Sequence, residues 1–140
     1  MRIFLDANIL VSVLNKEYPL FTYSARILSL ADNPKYQVYT SPICLAIAFY
    51  FSEKKSGVVM AKKKMEILCE KLHISPADAV VVKKSIRNKA IRDFEDGLEY
   101  YSAEASKCKC IVTEDRGDFF FAEMEVLDSR SFLEKHVMGL

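Results

Sequence analysis

The sequence predicts an α/β fold of three layers, a parallel sheet of four to five strands covered by helices on both faces. Three observations predict it. Short apolar or β-branched runs alternate with helical runs along the whole chain. Two apolar runs, Ile3-Phe4-Leu5 and Cys110-Ile111-Val112, lead at once into polar, acid-bearing segments, as at the carboxyl ends of buried parallel strands. The chain has 140 residues, of which 51% are hydrophobic, which suits one core in a single domain spanning 1–140.

Each element has a local reason. Arg2-Ile3-Phe4-Leu5 reads as a buried strand. Asp6-Ala7-Asn8 follows directly and opens a short apolar helix through Leu14, so Asp6 is either a helix cap or a ligand-binding acid at a strand end. From Tyr18-Pro19-Leu20 to about Ala31 a second helix carries Leu20, Tyr23, Ile27 and Leu30 as a core stripe, and Asp32-Asn33-Pro34 stops it. Tyr36 to Thr40 alternates and reads as the second strand. Ser41-Pro42 starts a helix over about 43–54 that is nearly all apolar and is expected to be buried on most sides. A helix over about 58–71 shows Val58, Ala61, Met65, Leu68 and Leu72 on one face, and Leu72-His73-Ile74 is a candidate third strand. Ser75 is the expected cap of the next helix, with Asp78 in its first turn.

Asp93 caps the following helix, with Asp96 as its third residue. Phe94, Leu98, Tyr101 and Ala105 are its expected core face, and Asp96, Tyr100 and Ala103 project from the opposite side. Cys108 to Val112 forms the fourth strand, Thr113-Glu114-Asp115 lies past its end, and Phe119-Phe120-Phe121 packs that loop back. Met124 to Asp128 is the last strand, and a helix from Ser129 to about His136 follows.

Composition excludes several classes. A net charge of +1 rules out a chain-wide basic footprint for duplex binding. No apolar run is long enough to span a membrane, and Asp6 comes too early for a signal peptide. Four cysteines (Cys44, Cys69, Cys108, Cys110) form no CxxC pair, and with two histidines they make no zinc set. Those thiols are expected to be reduced and mostly buried, in a cytoplasmic protein.

What remains is a set of acids. If the first and fourth strands are neighbours, Asp6, Asp96, Asp115 and Asp118 converge. Clustered carboxylates repel, and a hard divalent cation relieves them. All-oxygen ligation suits magnesium or manganese, which acidifies a bound water and clamps a phosphodiester oxygen. Taken singly, each acid also reads as a cap or a surface charge.

Three stretches in register, Ile3 to Asn8, Asp93 to Leu98 and Ile111 to Phe119, resemble the PIN-domain family over nearly the whole chain. The resemblance implies a sheet order 3-2-1-4-5 and a VapC-like ribonuclease, the toxin of a toxin–antitoxin pair. It implies a Mg²⁺ or Mn²⁺ site built from Asp6, Asp96 and Asp115, with Asp118 nearby, Asp93 added, and Asn8 and Thr113 in support. The sequence departs from the family at Ile47, where an acid is usual. Glu53 lies about 9 Å further along that helix and replaces it poorly. The departure keeps open an alternative, a catalytically impaired module that binds RNA or protein. An unrelated acidic-pocket domain of the receiver or phosphoryl-transfer type is disfavoured, because Asp6-Ala7-Asn8 offers one acid and an amide. The cations at 54, 55, 62–64, 83, 84, 87, 89 and 92 are either RNA contacts or solvated helix faces. The apolar helix 43–51 and the aromatics Tyr18, Phe21 and Tyr23 are core residues, a homodimer face or an antitoxin groove.

Overall fold

A computed structural model describes residues 1–138. Its strands are β1 (Arg2–Leu5), β2 (Gln37–Thr40), β3 (His73–Ile74), β4 (Cys110–Val112) and β5 (Glu125–Leu127). They form one parallel five-stranded sheet in the order β3-β2-β1-β4-β5. The helices are α1 (Ala7–Leu14), α2 (Phe21–Ser29), α3 (Pro42–Ser56), α4 (Val58–Lys71), α5 (Ala79–Arg87), α6 (Phe94–Ala105) and α7 (Ser129–Phe132). The α/β/α layering and strand order are as expected. β1 and β4 are fully paired, with Leu5 opposite Val112, so the chain reverses its winding direction between them. That pairing puts Asp6 beside Thr113, and Asp6 N donates to Val112 O at 3.1 Å.

Past Arg2 the two central strands, β1 and β4, are apolar because both faces are covered. Ile3, Phe4, Leu5, Cys110, Ile111 and Val112 are each 0% exposed. Three expected caps hold: Asp6, Ser41 and Asp93 each accept a backbone N–H at the start of a helix. Ser75 is not the cap of α5. It is buried before that helix, where it accepts from Ser106 Oγ, and Asp78 caps instead through Val81 N. Gly57, at φ +81°, separates α3 from α4.

Two predicted faces are corrected. α3 is not buried on most sides: Cys44, Ala48 and Ser52 are its buried residues, whereas Tyr50 and Phe51 are exposed. Its small side chains form the stripe that packs on α1 and α4, and the bulky ones fall outside it. On α6, Phe94 and Ala105 are exposed, while Gly97, Glu99, Tyr100, Ser102 and Ala103 are buried. Small residues decided that face, since they let the helix sit close. A Cβ on Gly97 would lie 3.1 Å from both Ile91 Cδ1 and Ser85 Cβ, so the glycine admits α5. Of the three consecutive phenylalanines after β4, Phe119 is buried, Phe121 is half-buried and Phe120 is exposed.

Cys44, Cys108 and Cys110 are buried and all four cysteines are free. Among the described residues no helix is long and apolar enough to cross a membrane.

Candidate functional site

At the carboxyl ends of β1 and β4 lies a cavity of about 410 Å³. Among the described residues seven acids line it, Asp6, Glu17, Glu95, Asp96, Glu99, Asp115 and Asp118, with Asn8 among them and no lysine, arginine or histidine. The expected acids therefore do converge on one space. Asp93 does not line it; it caps α6 at the rim, accepting from Glu95 N at 2.9 Å.

Asp6 is held from several sides. Its Oδ1 accepts from Ala7 N at 2.6 Å, so it is a helix cap and a cavity acid at once. Its Oδ2 accepts from Thr113 Oγ1 at 2.7 Å. Thr113 Oγ1 in turn accepts from Asn8 Nδ2 at 3.1 Å and Asp115 N at 3.0 Å. Asn8 Nδ2 also donates to Asp115 Oδ2 at 3.2 Å. One buried hydroxyl thus ties the strand end of β1 to the loop after β4, and the acids on both are fixed relative to each other. Glu114, between them in the chain, turns away and accepts from Ser129 N and Oγ at the start of α7.

The acids of α6 and of the loop after β4 pay an electrostatic penalty for sharing this space. Burial, then the charges of Asp93, Asp118, Asp6 and Glu95, push Asp96 up to about 7. Burial and neighbouring acids also raise Glu95 and Asp118. Glu99 is raised most, to about 11, by burial, by the charge of Asp6 and by a hydrogen bond shared with it. With both groups ionised, Glu99 Oε2 is buried without a donor; only a shared proton or a cation satisfies it.

Glu99, Glu95 and Glu17 were not among the expected site residues. Glu95 and Glu99 lie one turn apart, and Glu99 is three residues after Asp96, so helical spacing from Asp96 was the available signal. Among the described residues, the acidic or sulfur donors lying within 4.8 Å of one another are those of Asp6, Cys44 and Glu99. Asp96, Asp115 and Asp118 line the cavity outside that tight group. Burial, with the charges of Glu99 and Asp6, holds the Cys44 thiol well above its ordinary value, so it stays protonated with Sγ 3.9 Å from Asp6 Oδ1. The donor set is therefore carboxylate oxygen, which fits a hard divalent cation. Ile47 lines the same cavity as an apolar wall, and Glu53 does not reach it.

A family profile described as the PIN domain matches residues 2–117. The chain belongs to the PIN domain family. Within that family it is 26% identical to ribonuclease VapC1 of Aquifex aeolicus (strain VF5) over 141 residues, 96% of this chain and 94% of the relative. The fold is shared with VapBC2 of Rickettsia felis, solved bound to a DNA fragment from its promoter (TM-score 0.69, 23% identity, 91% of this chain and 98% of that one). It is shared equally with VapBC-1 of nontypeable Haemophilus influenzae (TM-score 0.71, 14% identity, 93% and 99%). The PIN fold explains why the acids meet: they sit at the switch between β1 and β4.

Proposed function

We propose that this PIN domain, spanning residues 1–140, is a divalent-metal-dependent endoribonuclease and the toxin of a toxin–antitoxin pair. The observation that carries the reading is the cavity of seven acids and no base, fixed by Thr113 across two strand ends. The name of the Aquifex relative, a ribonuclease of similar length, supports the substrate class.

Asp6, Asp96 and Asp115 would hold Mg²⁺ or Mn²⁺, with Asp118 beside them and Asn8 and Thr113 orienting Asp6 and Asp115. The cation, when bound, supplies positive charge to a phosphodiester oxygen and acidifies a water. The protein's part is to line one space with carboxylates and to keep lysine and arginine side chains, which would compete with the cation, out of it. Arg92, one of the expected cations, lies over the Phe120 ring; it and Arg116, which was not among them, are exposed next in the chain to Asp93 and Asp115 and would meet RNA phosphates outside the cavity. Others of the expected cations are engaged within the protein. Lys55 donates to Asn15 O, Lys64 to Leu14 O and Lys84 to Glu104.

A protein partner has a separate place. Val13, Leu14, Phe21, Ala25, Leu28, Ile67 and Leu68 line an apolar groove of about 410 Å³ between α1, α2 and α4. Its proposed occupant is an apolar segment of an antitoxin, supported by the VapBC complexes that share the fold. Ile67→Asp is expected to weaken a purified antitoxin complex at least about tenfold, as loss of a central apolar anchor does.

The test of the enzyme is cleavage of RNA with manganese or magnesium by the wild type and by Asp6→Asn. Wild-type cleavage that falls by about 100-fold or more in Asp6→Asn is expected. Equal cleavage by both overturns the reading.

A further inference from the structure

Glu99 lies one turn into α6 on the same side as Asp96, and it is 2% exposed. Buried polar atoms are ordinarily hydrogen-bonded, and a buried carboxylate most of all. Among the described residues Glu99 Oε2 has no hydrogen-bond partner, and Glu99 is the one carboxylate of which this holds. Nor does a cationic side chain line the space it faces. Its donor oxygen lies instead within 4.8 Å of a carboxylate oxygen of Asp6, and both residues line the acidic cavity. Leaving two buried carboxylates in contact with no counter-charge is costly, and a cation between them removes the cost. α3 contributes no carboxylate here: Ile47 is apolar, and Cys44, the third member of the tight group, brings a thiol.

We infer that Glu99 is a cation ligand, holding a divalent ion jointly with Asp6 and supplying from α6 the carboxylate that α3 lacks at Ile47. The inference rests on the reading of the cavity as a divalent-cation site. It adds to that reading a ligand that neither the three motifs nor the helical face predicted from sequence contained.

The experiment is titration of manganese chloride into the full chain, read by calorimetry and by the electron-spin signal of free Mn²⁺, with thermal unfolding alongside. The proteins are wild type, Asp6→Asn, Glu99→Gln, and Glu99→Gln combined with Ile47→Glu. Glu99→Gln is expected to lower Mn²⁺ affinity by about tenfold or more. Its metal-free melting temperature should be no lower than wild type, since an amide replaces an unpaired carboxyl of the same shape. Restoring an acid from the α3 wall with Ile47→Glu should recover most of the affinity. In the wild type, Mn²⁺ should broaden the Glu99 side-chain carboxyl resonance in preference to that of Glu53, which reads the contact without any substitution. Unchanged Mn²⁺ affinity in Glu99→Gln, with affinity lost in Asp6→Asn, overturns this inference and leaves the cation site standing. A Glu99 resonance untouched by bound Mn²⁺ does the same. Wild-type protein that binds no Mn²⁺ overturns both.

Discussion

The two ends of β1 differ in kind. Its carboxyl end, from Asp6, opens on a cavity with seven acids and no base. Its amino end, at Arg2, borders a second depression lined by Arg2, Lys35, Lys107 and Lys109 with no acid. Only four residues of strand separate them. A net charge of +1 therefore conceals a polarised molecule, which an average over the chain cannot reveal. The ends also differ in how their groups are satisfied. Arg2 at the basic end is exposed and donates to Gln37 Oε1 at 2.9 Å and Ser106 O at 3.0 Å. At the acidic end the carboxylates crowd one another, and Glu99 Oε2 is left without a donor. Charge that is solvated and hydrogen-bonded serves the fold; charge that is buried against its own kind is held for a ligand.

The largest break in this contrast comes from removing charge at the acidic end. Asp96→Asn with Asp118→Asn is expected to cut RNA cleavage by about 100-fold or more. The same pair should raise the melting temperature of the metal-free protein at neutral pH, because it relieves the repulsion that lifts both groups. Calorimetric unfolding and a cleavage assay on the same samples check both directions; a loss of stability with the loss of activity would refute the account.

Next is the tie between the strand ends. Thr113→Val keeps the shape and removes the hydroxyl shared by Asp6, Asn8 and Asp115. Cleavage and Mn²⁺ affinity should fall by about 10- to 100-fold. Stability should fall by about 1–3 kcal/mol, the usual cost of leaving buried partners unsatisfied, and denaturant unfolding measures it.

A smaller effect is the pH dependence of the metal-free fold. Asp96 is raised from 3.8 to about 7 and Glu99 from 4.5 to about 11. A raised carboxyl binds more protons in the folded chain than in the unfolded one, so stability falls as pH rises through that window. For Asp96 the fall runs between its two values and is complete just above 7; for Glu99 it continues into the alkaline range. Melting curves of metal-free protein should decline over this interval, and Asp96→Asn should flatten the acidic half. A profile that rises throughout would contradict the geometry. Least of all should the basic end matter: Lys107→Ala with Lys109→Ala is expected to change Mn²⁺ affinity by less than about twofold, since the strand's length exceeds the screening distance at physiological salt.

The residues that the sequence reading brought to this end of the sheet are those that hang on local rules. Asp6 and Thr113 each follow a short buried strand, and strand ends are visible as a change from apolar to polar. Asp93 sits at a helix start with Asp96 in its first turn, and starts have capping grammar. Glu99 follows no such rule. It lies between Leu98 and Tyr100 in the body of α6, where an acid ordinarily faces water. The predicted core face of that helix counted bulky apolar residues, and the side actually buried is the one with Gly97, Ser102 and Ala103. The same bias misread α3, whose small stripe is buried and whose Tyr50 and Phe51 are not.

The amino-acid order alone determined the alternation of strands and helices, their caps, and which acids end strands or begin helices, because hydrophobic period and capping act within a few residues. Only the tertiary structure decided which helix face is buried, that Asp6 and Glu99 meet across 93 positions of chain, and that the acids gather at one end of the sheet while cations line the other. Those outcomes depend on how elements distant in the chain pack together; between α5 and α6, for one, Gly97 sets the approach, since a Cβ there would lie 3.1 Å from Ser85 Cβ.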